Sequence, residues 1–226
     1  MNLVSPVEDA VKVLRDGKFV LIHDGESREN EVDMVKAAQH IGPRDIATMR
    51  NDAGGLICLA IPYEIASELN LIFMHDLLHF ASNNNPSLSK IISSIAPYGD
   101  RPSFSITINH IDTFTGITDR DRALTITKMS EICSDINNDG KNEFYKQFRS
   151  PGHVHILIAS RELLRYRSGH TELSIKLIKL ANLIPAVVIC EMLDSETGGA
   201  LSVDKAIEYS TRFKVPLVES SQIKKT

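Results

Sequence analysis

Carboxylates crowd into the ten residues from Asp24 to Asp33, which read Asp-Gly-Glu-Ser-Arg-Glu-Asn-Glu-Val-Asp; we call this stretch the acidic segment. Neighbouring carboxylates raise one another's pKa unless a cation neutralises them, and a hard divalent cation prefers oxygen ligands. The apolar run 19–22 precedes the segment and apolar residues return from Val32, so the segment is predicted to join two core strands. A divalent-cation site at this corner and a solvated surface loop are the two interpretations.

A second candidate site lies at residues 165–172, Arg-Tyr-Arg-Ser-Gly-His-Thr-Glu, where a helix is predicted to begin. Free backbone N–H groups, the helix dipole and nearby arginines together form an anion site, and phosphate is the obvious ligand. The alternative is an ordinary helix cap, in which Thr171 binds a backbone amide and the arginines are solvated.

Two further residues have types that could transfer protons. His153 follows a Pro-Gly turn at the predicted entrance of a strand, where a single histidine is more often a structural hydrogen-bonding residue. Glu191 ends the apolar run 186–190, which is predicted to be a strand. Because buried carboxylates rarely lack a partner, Glu191 indicates a functional site.

His75 and His79 stand four residues apart with Asp76 between them, on one face of a predicted helix. A hydrolytic zinc site would use this spacing, but with glutamate as the base. Two surface histidines are the simpler interpretation, and a zinc hydrolase remains an alternative that would require tight zinc binding and both histidines.

The predicted elements that position these residues alternate along the chain. Strands are predicted at 19–22, from Val32, and at 56–61, 104–110, 154–159, 186–190 and 215–218. Helices are predicted at 6–14, 43–52, 62–69, 121–136, 171–183 and 203–213, and an irregular insertion at 83–94. This pattern predicts an α+β fold of one domain over residues 1–226, with a mixed, twisted sheet flanked by helices on both faces in three layers.

The composition limits the function classes. Hydrophobic content of 42%, charged content of 24% and a net charge of −4 are ordinary for a globular protein and argue against a broad nucleic-acid-binding face. No apolar stretch is long enough for a membrane span or signal peptide. The three cysteines are far apart in apolar surroundings. Buried thiols in a reducing compartment are therefore expected, and the predicted localisation is cytoplasmic.

Several of these motifs together resemble the 3,4-dihydroxy-2-butanone 4-phosphate synthase family of riboflavin biosynthesis, over residues 19–218. The matching stretches are 28–33 (RENEVD), 149–154 (RSPGHV), 167–172 (RSGHTE), Cys190 with Glu191, and, more weakly, 115–118 (TGIT) with Asp121 and Arg122. Val32 and Ser168 stand where many relatives carry glycine, and 82–102 is longer than in many relatives. We expect the two small replacements to change loop shape only.

The resemblance implies a lyase that converts D-ribulose 5-phosphate to L-3,4-dihydroxy-2-butanone 4-phosphate and formate. It implies enolisation, dehydration, skeletal rearrangement and loss of C4, assisted by Mg²⁺ or Mn²⁺. It also implies a homodimer with active sites near the subunit interface. The partner is then a small phosphosugar, with no nucleic-acid or membrane partner. A non-catalytic phosphate- or RNA-binding domain is the remaining alternative, and it would bind without turnover.

The resemblance also implies roles for single residues. Glu29 and His170 match the metal ligands, and His153 and Glu191 match residues needed for catalysis. Asp33 and Glu31 are further candidates for proton transfer. The positions that match substrate contacts are Arg28, Glu29, Asp33, Arg167, Ser168, Gly169, His170, Thr171 and Glu191.

Overall fold

A single mixed sheet of seven strands organises the computed structural model, which describes residues 4–92 and 95–226. The strands are β1 (Val20–His23), β2 (Val32–Ala37), β3 (Cys58–Ile61), β4 (Phe104–His110), β5 (Phe148–Ile158), β6 (Val187–Glu191) and β7 (Leu217–Glu219). Their order across the sheet is β4-β5-β3-β6-β2-β1-β7. The pairs β1/β7 and β3/β5 are parallel, and the other neighbours are antiparallel.

Helices cover both faces of this sheet. They are α1 (Val7–Arg15), α2 (Pro43–Thr48), α3 (Tyr63–Glu68), α4 (Met74–Ser82), α5 (Asp119–Ser134), α6 (Gly140–Gln147), α7 (His170–Leu180), α8 (Val203–Phe213) and α9 (Ser220–Ile223). Apolar residues of α1, α7 and α9 pack on one face, and those of α2, α3, α5, α6 and α8 on the other. Two cores therefore lie on either side of the sheet, which confirms the predicted three-layer α+β class. In the described part of the chain, no helix is long and apolar enough to cross a membrane.

The alternation of side chains along the central strands decides where the carboxylates project. Val35 of β2 and Ile189 of β6 belong to the core under α1 and α7. Since residues two apart on a strand share a face, Asp33 and Glu191 project to that same side. The two are also directly paired in the β2–β6 register. The sheet thus places two carboxylates side by side below α7.

The strand predicted at 154–159 is longer in the structure, and it includes His153. β5 begins at Phe148, and its pairing with β4 jumps from Val154 to Arg149, so residues 150–153 bulge out of the ladder. A proline is tolerated at such a bulge because no ladder hydrogen bond needs its missing N–H. His153 therefore lies inside an irregular strand and not at its entrance.

The segment predicted as an irregular insertion is more ordered than expected. α4 extends to Ser82, and a 3₁₀ helix covers Pro86–Ile91. Residues 93 and 94 of the predicted insertion lie outside the described residues. The stretch that follows the insertion, 95–103, passes beside the acidic segment before β4 begins, so it contributes to the candidate site.

Candidate active site

Asp24 organises the acidic segment from within. Its buried carboxylate accepts hydrogen bonds from the backbone N–H groups of Glu29 and Glu31, both at 3.1 Å. The same carboxylate accepts a bond from Nη1 of Arg28 at 2.8 Å. These three bonds use most of the acceptor capacity of Asp24 and turn the segment on itself.

His170, the first residue of α7, joins the acidic segment to this helix. Its Nε2 lies 3.2 Å from the carbonyl oxygen of Glu31, which can only accept, so Nε2 carries the proton of that bond. Its Nδ1 lies 3.3 Å from a carboxylate oxygen of Glu29 and 3.6 Å from one of Asp33. The bond at Nε2 fixes the orientation of the ring and directs Nδ1 toward the carboxylates. Metal-binding histidines are typically held in this way.

The charges of this cluster shift the pKa of its members strongly. Burial alone would lower the pKa of His170, but the Asp33 charge and a hydrogen bond with Glu29 raise it to about 9. Burial raises the pKa of Asp33 to about 7, although the charge of His170 opposes the rise. Burial favours a raised pKa at Glu29, but the His170 hydrogen bond and the Arg28 charge lower it to about 2. The cluster thus attracts a cation and holds one carboxyl group able to exchange protons near neutral pH.

Two arginines meet beside the start of α7. Arg28 Nε lies 3.1 Å and Arg167 Nε 3.7 Å from the same carboxylate oxygen of Asp100. Arg28 Nη2 and Arg167 Nε are buried, yet neither makes a hydrogen bond to a described residue. A Cβ at Gly169 would lie 2.7 Å from Arg28 Nη2, so a larger residue there would displace the guanidinium groups from the start of α7. Unpaired N–H groups at a helix N-terminus constitute an anion site.

Glu191 is the carboxylate paired with Asp33. Its Oε2 accepts a hydrogen bond from the backbone N–H of Leu56 at 2.8 Å. Gly55 permits this approach, since a Cβ there would lie 2.6 Å from the same oxygen. A single backbone bond leaves Glu191 with acceptor capacity toward the cavity that it lines.

These groups border one cavity of about 290 Å³, which has room for a small polar ligand. Its lining consists of Glu29, Glu31, Asp33, Tyr98, Pro102, Ser103, Phe104, Leu157, Arg167, His170, Thr171, Ile189 and Glu191. Most of the residues predicted for the site are therefore brought together. Arg28 and Gly169 lie directly behind this lining, against Arg167 and each other. Ser168 is not among the lining residues.

His153 is not brought to the cavity. Its Nδ1 lies 3.1 Å from the amide nitrogen of Asn109, and its backbone N–H donates to the amide oxygen of Asn109 at 2.8 Å. β5 is two strands away from β6 in the sheet order, so on the order of 10 Å separates His153 from Glu191. The histidine is exposed at the same end of the sheet, outside the lining.

Sequence reasoning missed the residues that come from 95–103. Tyr98 hydrogen-bonds Glu29, stacks over the Arg28 guanidinium at 5.0 Å, and has its pKa raised to about 12 by burial and by that hydrogen bond. Asp100 bridges the two arginines. Glu172, buried below Arg167, was also unassigned. No periodicity marks Tyr98 or Asp100, so only their residue types, an aromatic residue and a carboxylate, could have indicated a role.

The zinc alternative gains no support from the geometry. His75 pairs with its neighbour Asp76 at 3.1 Å and stacks on Phe73. Within 4–92 and 95–226, the one group of three acidic or histidine ligands that could hold a metal ion is Asp24, Glu29 and His170, whose ligand atoms lie within 4.8 Å of one another. The group that could hold a metal ion therefore lies between the acidic segment and the first residue of α7.

Comparisons with known proteins agree with this geometry. Residues 8–226 match the family model of 3,4-dihydroxy-2-butanone 4-phosphate synthase. A protein of that name from Archaeoglobus fulgidus is 45% identical over 98% of this chain and 93% of its own length. A second, from Methanothermobacter thermautotrophicus, is 43% identical over 99% and 96%.

A solved structure supports the same relationship. It is a 3,4-dihydroxy-2-butanone 4-phosphate synthase in complex with two magnesium ions, with a TM-score of 0.79 and 26% identity, covering 97% of this chain and 94% of its own. The chain therefore belongs to the 3,4-dihydroxy-2-butanone 4-phosphate synthase family.

Proposed function

We propose that the protein converts D-ribulose 5-phosphate to L-3,4-dihydroxy-2-butanone 4-phosphate and formate, as a lyase of riboflavin biosynthesis. The observation that carries this proposal is one cavity in which a carboxylate–histidine cluster lies next to two arginines with unpaired N–H groups. Such a cavity suits a ligand with vicinal oxygens at one end and a phosphate at the other. The names of the relatives from the two archaea support it.

Glu29 and His170 are the residues that would hold a divalent ion, Mg²⁺ or Mn²⁺. The donor set fits, because a carboxylate oxygen faces Nδ1 at 3.3 Å and Nε2 is fixed by a carbonyl oxygen. Asp24 belongs to the same group, but its oxygens already accept three hydrogen bonds. A bound divalent ion supplies positive charge that stabilises negative charge developing on the sugar oxygens. The magnesium complex of the related structure supports this assignment.

The phosphate end would bind to Arg167, Arg28 and the N-terminus of α7. Arg167 and the buried Thr171, the second residue of α7, line the cavity there, and Arg28 lies behind them beside Gly169. Charge-assisted hydrogen bonds to phosphate are about twice as strong as neutral ones. Binding energy at this end orients the carbon chain toward Asp33 and Glu191.

We assign the proton transfers to three carboxyl groups that line the cavity. Asp33, with a pKa raised to about 7, is present in both protonation states at neutral pH and suits the enolisation steps. The pKa of Glu31 is also raised, mainly by burial. Glu191, held by the Leu56 N–H, faces the same space and is our third candidate. Enolisation, dehydration, skeletal rearrangement and loss of C4 as formate each require such a transfer.

In a homodimer, His153 could lie near the active site of the partner subunit, although it does not line the cavity of its own subunit. Between β4 and α5, exposed Ile111, Phe114 and Ile117 form an apolar surface. Asn109 links this surface to His153, since its side chain packs against Gly116 and bonds the histidine. We place His153 at the subunit interface, near the partner's cavity.

We also place the protein in the cytoplasm, where its three buried free cysteines would stay reduced.

The direct test incubates the purified protein with ribulose 5-phosphate and Mg²⁺ and measures formate. We expect formate in amounts equal to the four-carbon phosphate, and its loss on chelation and recovery with Mg²⁺ or Mn²⁺. A His75→Ala, His79→Ala double variant should retain activity, because neither histidine borders the cavity. Binding of the sugar phosphate without formate release would support a binding domain and overturn the proposal.

A further inference from the structure

His23 connects the acidic segment to the C-terminal strand of the sheet. It is the last residue of β1 and only 4% exposed. Its Nδ1 lies 2.8 Å from Oε2 of Glu219, and its Nε2 lies 3.0 Å from the side-chain oxygen of Asn30. Glu219 ends β7 and is the register partner of His23 in the parallel β1–β7 pair. A chain of three side chains therefore leads from β7 to the acidic segment.

Of the three bridging residues, Asn30 is the one with a left-handed backbone conformation. Its φ is +56°, a left-handed conformation that asparagine tolerates better than most residues but that still has to be held. It stands between Glu29 and Glu31, whose backbone N–H groups both bind Asp24. The conformation of Asn30 thus sets the directions in which the two glutamates leave the backbone.

We propose that His23 is a positioning residue: by bridging Glu219 and Asn30, it holds the acidic segment in the conformation in which Glu29 reaches His170. None of the three bridging residues lines the cavity, so the effect is transmitted through Asn30. The inference rests on the proposed metal site, but not on the reaction that follows metal binding.

A purely stabilising role would predict a different outcome. His23 follows the apolar residues of β1 and is packed beside them, so leucine fits the surroundings. Asn30 is exposed and the Glu219 side chain is 26% exposed, so water can solvate both partners after the exchange, and a melting curve accompanies each variant. If the bridge positions the segment, its loss lowers the fraction of molecules competent to bind metal, and the apparent dissociation constant rises in inverse proportion to that fraction.

The test compares His23→Leu, Asn30→Ala and the double variant, with His40→Leu as the matched control. His40 is exposed and contacts Gly17, away from the acidic segment. In the metal-free protein, the amides of Glu29 and Glu31 should exchange hydrogen faster in His23→Leu and at the wild-type rate in His40→Leu. Titration with Mg²⁺ or Mn²⁺ alone should give about tenfold weaker binding in His23→Leu.

Two further readouts separate positioning from catalysis. Once metal and sugar phosphate are saturating, kcat of His23→Leu should lie within about twofold of wild type, because the ligands select the competent segment. In the Asn30→Ala background the His23 substitution should add little, since both changes break the same bridge. His23→Gln, which keeps hydrogen-bonding groups, should recover part of the metal affinity.

Three results would overturn the inference. Wild-type exchange at Glu29 and Glu31 in His23→Leu would show that the bridge does not hold the segment, whether or not formate is produced. A collapse of saturated kcat with unchanged metal affinity would place His23 in the chemistry. Additive effects with Asn30→Ala would show that His23 acts by another route. Should His23→Leu fail to fold, Glu219→Ala removes the other end of the bridge from a partly exposed position and is expected to act in the same direction.

Discussion

At the scale of single residues, Asp100 competes with any anion for Arg28 and Arg167, because its carboxylate lies between their Nε atoms. Asp100→Asn should therefore tighten inorganic phosphate binding. A charge about 4 Å away is worth about 4 kcal/mol at an effective dielectric constant of 20. Because Asp100 is partly exposed, solvent screens most of this energy. We therefore expect the dissociation constant for inorganic phosphate, measured by calorimetry, to fall about tenfold. Asp16→Asn, which removes the same charge from the exposed end of α1, should change nothing, and weaker phosphate binding in Asp100→Asn would contradict the prediction.

Arg167→Ala should mainly raise KM for ribulose 5-phosphate. Hydrogen bonds to charged groups contribute about 1.5–3 kcal/mol, which corresponds to a factor of roughly 10 to 150. The variant also leaves the buried carboxylate of Glu172 without its ion-pair partner, so a melting curve must accompany the kinetics. Arg165→Ala is the control, because Arg165 pairs with Glu162 on the surface. An unchanged KM with a collapsed kcat would move Arg167 from binding to chemistry.

Glu191→Gln tests whether this carboxyl group transfers protons. Glutamine can still accept the Leu56 N–H bond in the same space, so the melting temperature should change little. Formate release per folded molecule should nevertheless fall by at least about a hundredfold, since an amide cannot act as a general acid or base at neutral pH. Glu196→Gln, on the exposed turn beyond β6, is the control. Near-normal release from Glu191→Gln would leave Asp33 and Glu31 as the proton carriers.

At the scale of elements, Gly152 decides whether β5 can bulge against β4. A Cβ on this residue would meet the backbone of Ile108 and Asn109, and its N–H donates to Thr107 at 3.0 Å. Gly152→Ala should destabilise the fold by roughly 1–3 kcal/mol through overpacking and should displace His153. Thermal unfolding measures the first effect, and the loss of the Asn109–His153 contact by NMR the second. Gly199→Ala, at an exposed turn with ordinary contacts, should be close to neutral.

Elements with a strong local pattern were predictable from the sequence. The bounds predicted for β4 and α8, 104–110 and 203–213, agree with the structure because alternation and helical spacing extend through each element. β5 was not predictable, because its first half is fixed by pairing with β4 and not by its own residues. In the site, Glu29 and His170 were predicted from motifs and lie in contact, although their metal-binding role stays a prediction. Tyr98 and Asp100 depend on how 95–103 crosses the acidic segment, which no local pattern records.

At the scale of the whole molecule, we expect a homodimer formed through the apolar surface between β4 and α5. Phe114, 93% exposed, is its most prominent residue. Phe114→Asp should shift the protein from twice the chain mass to the single-chain mass in sedimentation and should abolish most formate release. Metal binding at Glu29 and His170 should persist, because that site lies within one chain. Phe80→Asp, on α4 with 65% exposure, is the control and should remain dimeric. A dimeric Phe114→Asp would place the interface elsewhere.

One wall of the cavity is formed by central strands of the sheet and another by the connection before β4. We expect this difference to affect inhibitor selectivity. Asp33 and Glu191 stand on neighbouring central strands, where the sheet fixes their spacing. Tyr98 and the nearby Asp100 come instead from the connection before β4. A compound anchored only to the two carboxylates contacts a floor that the fold itself dictates, so we expect it to inhibit many members of the family. A compound that replaces Asp100 between the arginines and stacks on Tyr98 contacts a rim specific to this connection, and its potency should fall in members whose connection is shorter.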